Sequence, residues 1–193
     1  MTEQIHILYI DDNPMDRALV RHSLEKEHRG FILTEASSKK EFEKLIHEQT
    51  FDLVLTDFNI LGFEGLQVLA TVQSVSPDTP VIIVTGTGSE EVAVEAMKQG
   101  AGDYVIKTTS HITRLPKTIL SVLETKRIRG EKEKAQIELA KMNRVYAVIS
   151  QINQLIVRTS DREKLFCESC DIAIEFGKFR MAWIGLVDEE NKI

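Results

Sequence analysis

Three carboxylates, a hydroxyl and an amine stand at the ends of four short apolar runs in this chain. Asp11 and Asp12 close the run Ile5–Ile10, and Asp57 closes Phe51-Asp52-Leu53-Val54-Leu55-Thr56. Thr85 closes Val81-Ile82-Ile83-Val84, and Lys107 closes Tyr104-Val105-Ile106. Carboxylates crowded together raise each other's pKa unless a cation intervenes. A few oxygen ligands completed by water describe a Mg²⁺ site, here Asp11, Asp12 and Asp57. A carboxylate held beside Mg²⁺ can attack phosphorus. The metal, an ammonium and a hydroxyl then neutralise charge on the transferring phosphoryl oxygens. Asp57 is the candidate nucleophile because it lies on the central run, flanked by the others. Thr85 would donate a hydrogen bond to a phosphoryl oxygen, and Lys107 would pair with Asp57 or its phosphate. Singly, each has a plainer reading: a helix cap for Asp11 or Asp12, a turn residue for Thr85, a solvated charge for Lys107. Their joint placement carries the signal.

That placement requires a particular scaffold. The run ending at Asp57 is nearly continuous in its apolar character, which suits a strand buried on both faces of a parallel sheet. Five such strands alternate with helices over residues 5–124, so helices should cover both faces of the sheet. Asn13-Pro14 should open the first helix as N-cap and first helical residue. Met15, Ala18, Leu19 and Leu24 recur along it, and Gly30 closes it. Ser38-Lys39-Lys40-Glu41 reads as a capping box. Phe58 to Gly65 reads as a loop. Gly86-Thr87-Gly88-Ser89 reads as a loop whose Ser89 caps the next helix, which Gly100 ends. A doubly wound sheet sets its first and third strands side by side at the switch point and places functional groups beyond the carboxyl ends of its strands.

From Ser110 to about Ser160 the pattern is helical almost without a break. Ala135, Leu139, Met142, Tyr146, Ile149, Asn153 and Ile156 recur at alternating steps of four and three. This seam predicts a coiled-coil connector in a homodimer, with Asn153 as a polar register position. The other reading is a helix packed on its own domain. Gly130 is expected to interrupt the helix between the first domain and the connector. Residues 161–175 read as a helix and 180–187 as a strand, too little to bury a core unless the chain continues or a partner covers it. Cys167 and Cys170 are spaced as a redox pair or half a zinc site. No second Cys/His cluster completes such a site, so two side chains sharing a helix face are expected instead.

Composition excludes other classes. With 193 residues, 42% hydrophobic, 28% charged and 6% aromatic, the chain is long enough for one domain and part of a second. A net charge of -6 argues against a nucleic-acid binder. No run approaches a membrane span and the N-terminus lacks a signal-peptide pattern, so a cytoplasmic location is expected.

The set Ile10-Asp11-Asp12, Asp57, Thr85 and Tyr104-x-x-Lys107 resembles a two-component response-regulator receiver domain. The resemblance implies a flavodoxin-like α/β fold, strand order 2-1-3-4-5, that accepts phosphate on Asp57 from a histidine kinase or phosphotransfer protein. It implies Mg²⁺ held by Asp12, Asp57 and the backbone carbonyl of Asn59, and a switch in which Thr85 and Tyr104 move together. It also implies a phosphoacceptor catalysing only its own phosphorylation and dephosphorylation, not an enzyme in its own right. Two positions depart from the family's habit: Leu61 and Thr108 stand where prolines are usual. A cis bond before Thr108 would cost about 2.5–4 kcal/mol, so a trans bond and a differently set loop are expected. Residues 142–193, notably Asn143-Arg144-Val145-Tyr146 and Phe179-Arg180-Met181-Ala182-Trp183, resemble the opening of a GAF sensor domain.

The domain order expected is therefore 1–125 receiver, 126–160 connector and 161–193 GAF-like segment. The competing readings are a Mg²⁺-dependent aspartyl phosphatase or phosphotransferase and a degenerate receiver serving as an interaction module. The first typically carries its nucleophile as D-x-D after its first strand, unlike Asp11-Asp12-Asn13. A nucleotide site at Gly86-Thr87-Gly88 lacks the lysine of G-x-x-x-x-G-K-S/T.

Overall fold

A computed structural model describes residues 4–26, 30–86 and 90–185. Its strands are β1 (Ile5–Ile10), β2 (Phe31–Ala36), β3 (Leu53–Thr56), β4 (Asn59–Ile60), β5 (Phe63–Glu64), β6 (Val81–Thr85) and β7 (Asp103–Ile106). Its helices are α1 (Pro14–Glu25), α2 (Lys39–Glu48), α3 (Gly65–Val75), α4 (Glu90–Lys98), α5 (Thr109–Ile112), α6 (Leu115–Arg158) and α7 (Arg162–Gly177). Five strands form one parallel sheet in the order β2-β1-β3-β6-β7, while β4 and β5 pair separately as a short antiparallel hairpin. This is the expected doubly wound, flavodoxin-like order, with the hairpin inserted after the central strand.

The strand period of two divides the core between the sheet's faces. Leu8, Ile10, Val54 and Ile83 point to one side, where Phe42 and Ile46 of α2 and Val68, Leu69 and Val72 of α3 meet them. Ile7, Tyr9, Leu53, Leu55, Ile82 and Val84 point to the other, against Val20 and Leu24 of α1, Ile112 of α5 and Leu115 and Ile119 of α6. Each large aliphatic residue so buried contributes about 1.5–3 kcal/mol. Both faces are therefore committed, and a one-residue slip of any central strand would exchange its two side-chain sets.

The helix openings follow local chemistry. Asn13 Oδ1 accepts the Met15 N–H at 2.9 Å, and Pro14 occupies the first turn of α1. Ser38 Oγ accepts the Glu41 N–H, while Glu41 reaches back to the Ser37 N–H at 2.8 Å. Gly100, at φ +91, ends α4 in a conformation that suits glycine. The helix α1 stops at Glu25, before Gly30.

Several expectations change. The stretch Phe58 to Gly65 is not a plain loop. Ile60 pairs with Phe63 across Leu61 and Gly62, and Gly62 takes φ +74, as the second central residue of a type II turn requires. Gly130 does not interrupt its helix: α6 runs 44 residues through it, because one glycine in a helix costs only about 1 kcal/mol. Residues 181–185 form no strand, since no neighbouring strand is present among the described residues to take their backbone hydrogen bonds. The GAF-like strand is not seen there; its end at 186–187, the Ser89 cap, Thr87-Gly88 and the N-terminal residues 1–3 lie outside the described residues. The peptide before Thr108 is trans, and Thr108 caps α5 through the His111 N–H. Cys167 and Cys170 are free thiols on α7.

The chain divides into two compact units, Met1–Arg129 and Gly130–Ile193, with the boundary inside α6. In the second unit the seam residues Leu139, Met142, Tyr146, Ile149 and Ile156 are all exposed. Val148, on another face of α6, instead meets α7 beside Gly177.

Gly65 bears on the functional edge. A Cβ there would lie 2.6 Å from the Asp57 carbonyl oxygen and 3.0 Å from Phe58 Cα. Because backbone cannot yield as a side chain can, Gly65→Ala should destabilise the protein by about 2 kcal/mol. Chemical denaturation checks this, and an unchanged midpoint would show that the backbone near Asp57 adapts freely.

Candidate functional site

Strand register brings the site together. Ile10 pairs with Thr56, so Asp11 and Asp57 leave adjacent strands abreast at the carboxyl edge. Thr85 pairs with Ile106, so Lys107 follows one step beyond on β7. The Asp57 N–H donates to the Ile10 carbonyl at 2.8 Å and the Lys107 N–H to the Thr85 carbonyl at 2.7 Å, extending the ladders past the strands.

Asp11, Asp12 and Asp57 each offer a carboxylate oxygen, and these oxygens lie within 4.8 Å of one another. Their surroundings differ. Asp11 is fully buried and its carboxylate is already engaged: Oδ1 accepts the Asn13 N–H at 2.9 Å, and Oδ2 accepts the Tyr9 hydroxyl and Lys107 Nζ. Asp57 is 9% exposed, and its Oδ1 accepts the Phe58 N–H at 2.7 Å. Asp12 is half-buried and accepts the Leu61 N–H at 3.3 Å. A proline at 61 would have no N–H to give.

Lys107 is the countercharge. Its side chain is 4% exposed, and Nζ lies 2.6 Å from Asp11 Oδ2, 2.8 Å from Asp16 Oδ2 and 3.2 Å from Asp57 Oδ2. Burial alone would lower the lysine's pKa, but its hydrogen bonds to Asp11 and Asp16 and the charges on Asp11 and Asp57 together outweigh burial and raise it, so the ammonium form is held. Burial raises the Asp57 carboxyl above its ordinary range, because the Lys107 attraction that opposes it is partly offset by the charge on Asp11. Burial, then the Asp11 carboxylate, drive the Tyr9 phenol far up, so it stays a neutral donor.

On the other flank Thr85 is buried and its side chain hydrogen-bonds Tyr104. Burial raises the Tyr104 phenol, the Thr85 bond opposes that rise, and the Asp57 charge adds to it. Asn59 opens β4 two positions after Asp57.

The structure thus gathers Asp11, Asp12, Asp57 and Lys107 at one point and joins Thr85 to Tyr104 beside them. Two members were missed in the sequence. Tyr9 stands two residues before Asp11, so a strand puts both on one face. Asp16 lies in the first turn of α1, directly after the cap that follows Asp11 and Asp12. Both signals were present, but an apolar-looking strand and an acidic first helical turn each have ordinary explanations.

A carboxyl with a raised pKa holds its proton more tightly in the folded than in the unfolded state. Its ionisation therefore costs folding free energy, and stability falls as pH rises through that raised value. Asp57→Asn cannot ionise, so at neutral pH without metal it should be more stable than the wild type by about 1 kcal/mol. The gap should close on acidification below the Asp57 pKa. Denaturant unfolding at both pH values checks this, and a destabilised variant at neutral pH would contradict it.

Comparison with known proteins agrees with the geometry. The family model described as the response regulator receiver domain matches residues 7–119. The transcriptional regulatory protein ZraR of Escherichia coli is 35% identical over 105 residues, which is 54% of this chain but 23% of that protein. AlgB of Pseudomonas aeruginosa, an alginate biosynthesis transcriptional regulatory protein, is 37% identical over 108 residues, 56% of this chain and 24% of its own. The chain thus spans about a quarter of the length of these relatives. Among solved structures, the beryllofluoride-activated NtrC4 receiver domain dimer is similar at TM-score 0.57 and 30% identity, covering 63% of this chain and 98% of that one. A CheY-like receiver domain from Methanospirillum hungatei is similar at TM-score 0.59 and 26% identity, covering 66% and 99%. By its sheet order, its acidic edge and the match over residues 7–119, this chain belongs to the response regulator receiver domain family of two-component systems.

Proposed function

We propose that the chain is a phosphoacceptor that takes a phosphoryl group onto Asp57 from a histidine kinase or phosphotransfer protein. The observation that carries the reading is Lys107 Nζ seated 3.2 Å from Asp57 Oδ2 inside a cluster of three further carboxylates. An Asp57 oxygen attacks phosphorus; the new O–P bond forms as the N–P bond of phosphohistidine breaks, and its electron pair stays on the imidazole nitrogen. The Lys107 ammonium compensates negative charge on the transferring oxygens, and the Thr85 hydroxyl donates to one of them. Coupled through their side-chain bond, Thr85 and Tyr104 form the switch.

Hard oxygen donors at this spacing fit Mg²⁺, with Asp12 and Asp57 as direct ligands alongside the Asn59 carbonyl and Asp11 contributing from its hydrogen-bonded position. When bound, the ion supplies positive charge that offsets the phosphoryl oxygens. The activity is confined to the chain's own phosphorylation and dephosphorylation.

Beyond the receiver, α6 is proposed to relay the switch as a homodimeric coiled coil, because its heptad seam lies exposed in the single chain. The GAF reading of residues 161–193 rests on sequence resemblance alone. No helix among the described residues is long and apolar enough to cross a membrane. A cytoplasmic phosphodonor protein, rather than nucleic acid, is the partner the net charge of -6 favours for this stretch.

Intact mass after incubation with acetyl phosphate tests the reading. The wild type should gain one phosphoryl group only when Mg²⁺ is present, and Asp57→Asn should gain none. Release of phosphate from an external phosphoester would instead indicate an aspartyl phosphatase. Labelling of neither protein, with Mg²⁺ bound, would indicate a degenerate interaction module. Light scattering should report a dimer that Leu139→Asp with Ile149→Asp converts to monomer; a wild type monomeric at high concentration, phosphorylated or not, removes the coiled-coil relay.

A further inference from the structure

Lys107 carries one positive charge and three N–H donors, and three carboxylates surround them. Asp11 and Asp57 belong to the edge where the chemistry takes place. Asp16 does not: it comes from the first turn of α1. Its Oδ2 is nevertheless nearer Nζ, at 2.8 Å, than Asp57 Oδ2 is, at 3.2 Å. The ammonium has no alternative in solvent, since the lysine side chain is 4% exposed while that of Asp16 is 29% exposed. A single buried cation is thus divided among three anions, and its two shorter bonds go to groups that do not accept the phosphoryl group.

We propose that Asp16 is a positioning residue that draws the Lys107 ammonium toward α1 and thereby sets the balance between metal binding and phosphoryl binding at Asp57. The inference rests on the phosphoacceptor reading and deepens it. The edge must hold a dication and then, beside it, an anionic phosphoryl group. A carboxylate at position 16 favours the first and opposes the second by simple Coulombic attraction and repulsion. It also competes for the one ammonium that pairs with phosphoryl oxygens, where a charge-assisted hydrogen bond is strongest. A neutral amide at the same position weakens both influences. Lys107 keeps its anchor on Asp11 and moves its remaining donors toward the phosphoryl oxygens, while the cluster attracts the dication less. The two binding constants therefore move in opposite directions. Mere loss of local order would weaken both together, which separates positioning from a structural role.

The test uses the full chain as wild type, Asp16→Asn and Asp16→Glu. Isothermal titration calorimetry gives the Mg²⁺ affinity. A second titration at saturating Mg²⁺ gives the affinity for beryllofluoride, which mimics the phosphoryl group without being transferred. In Asp16→Asn, Mg²⁺ should bind about threefold more weakly and beryllofluoride about fivefold more tightly, the size expected of a partly exposed ion pair. Asp16→Glu keeps the charge and should restore both constants toward the wild type. Weakening of both ligands in Asp16→Asn, or no change in either, overturns the role of Asp16 while leaving the phosphoacceptor reading in place. A wild type that binds Mg²⁺ but no beryllofluoride overturns the phosphoacceptor reading, and the role of Asp16 falls with it.

Discussion

The Lys107 ammonium lies within hydrogen-bonding reach of the carboxylates of Asp11 just past β1, Asp57 just past β3 and Asp16 in α1, at 2.6, 3.2 and 2.8 Å. Without it, Asp11 and Asp57 would face each other as uncompensated charges at the edge of a dry sheet. Removing the lysine from such a buried set typically costs about 3–5 kcal/mol, because the carboxylates left behind lose their compensation. The ion cluster therefore ties β7 to β1, β3 and α1. It also leaves the cluster net negative: the carboxylates of Asp11, Asp12, Asp16 and Asp57 gather near one ammonium, and the nearby Arg17 guanidinium pairs with Glu35. That surplus of negative charge suits the proposed dication.

The rest of the structure serves to hold those groups at one height. Parallel pairing in register puts the strand ends level, and burial on both faces prevents slippage. Tyr9 shows how closely core and site are joined: its ring packs among Ile7, Leu53 and Leu55 while its hydroxyl donates to Asp11. On the opposite side of the residue, Gly65 packs directly against the Asp57 carbonyl. The carboxylate is thus fixed from the lysine side by charge and from the hairpin side by backbone contact. Thr85 and Tyr104, from the neighbouring strands β6 and β7, are bonded to each other through their side chains.

Much of this was legible in the sequence because it depends on local pattern. Apolar runs ending in Asp11, Asp57, Thr85 and Lys107 specify strands and their ends together, and the order of elements specifies the winding. What stayed hidden depends on three-dimensional pairing. Asp16 resembles any acidic residue in a first helical turn, and only the fold shows that Lys107 crosses from β7 to meet it. Tyr9 resembles core until its hydroxyl is placed. The β4–β5 hairpin has two residues per strand, too few for a periodic signal. Gly130 was overread, since propensity alone does not end a helix that is well formed on both sides. Residues 181–185 show the converse: a strand-like pattern yields no strand where no strand among the described residues pairs with it.

The decisive property of the site is which carboxylate carries the phosphoryl group. An acyl phosphate is reduced by borohydride to the corresponding alcohol, so a phosphorylated aspartate is converted to homoserine. Treatment of the acetyl phosphate-labelled protein with borohydride, followed by tandem mass spectrometry of its peptides, places the modified residue directly. Homoserine is expected at position 57 alone. Homoserine at Asp11, Asp12 or Asp16, or at none of the four, would contradict this.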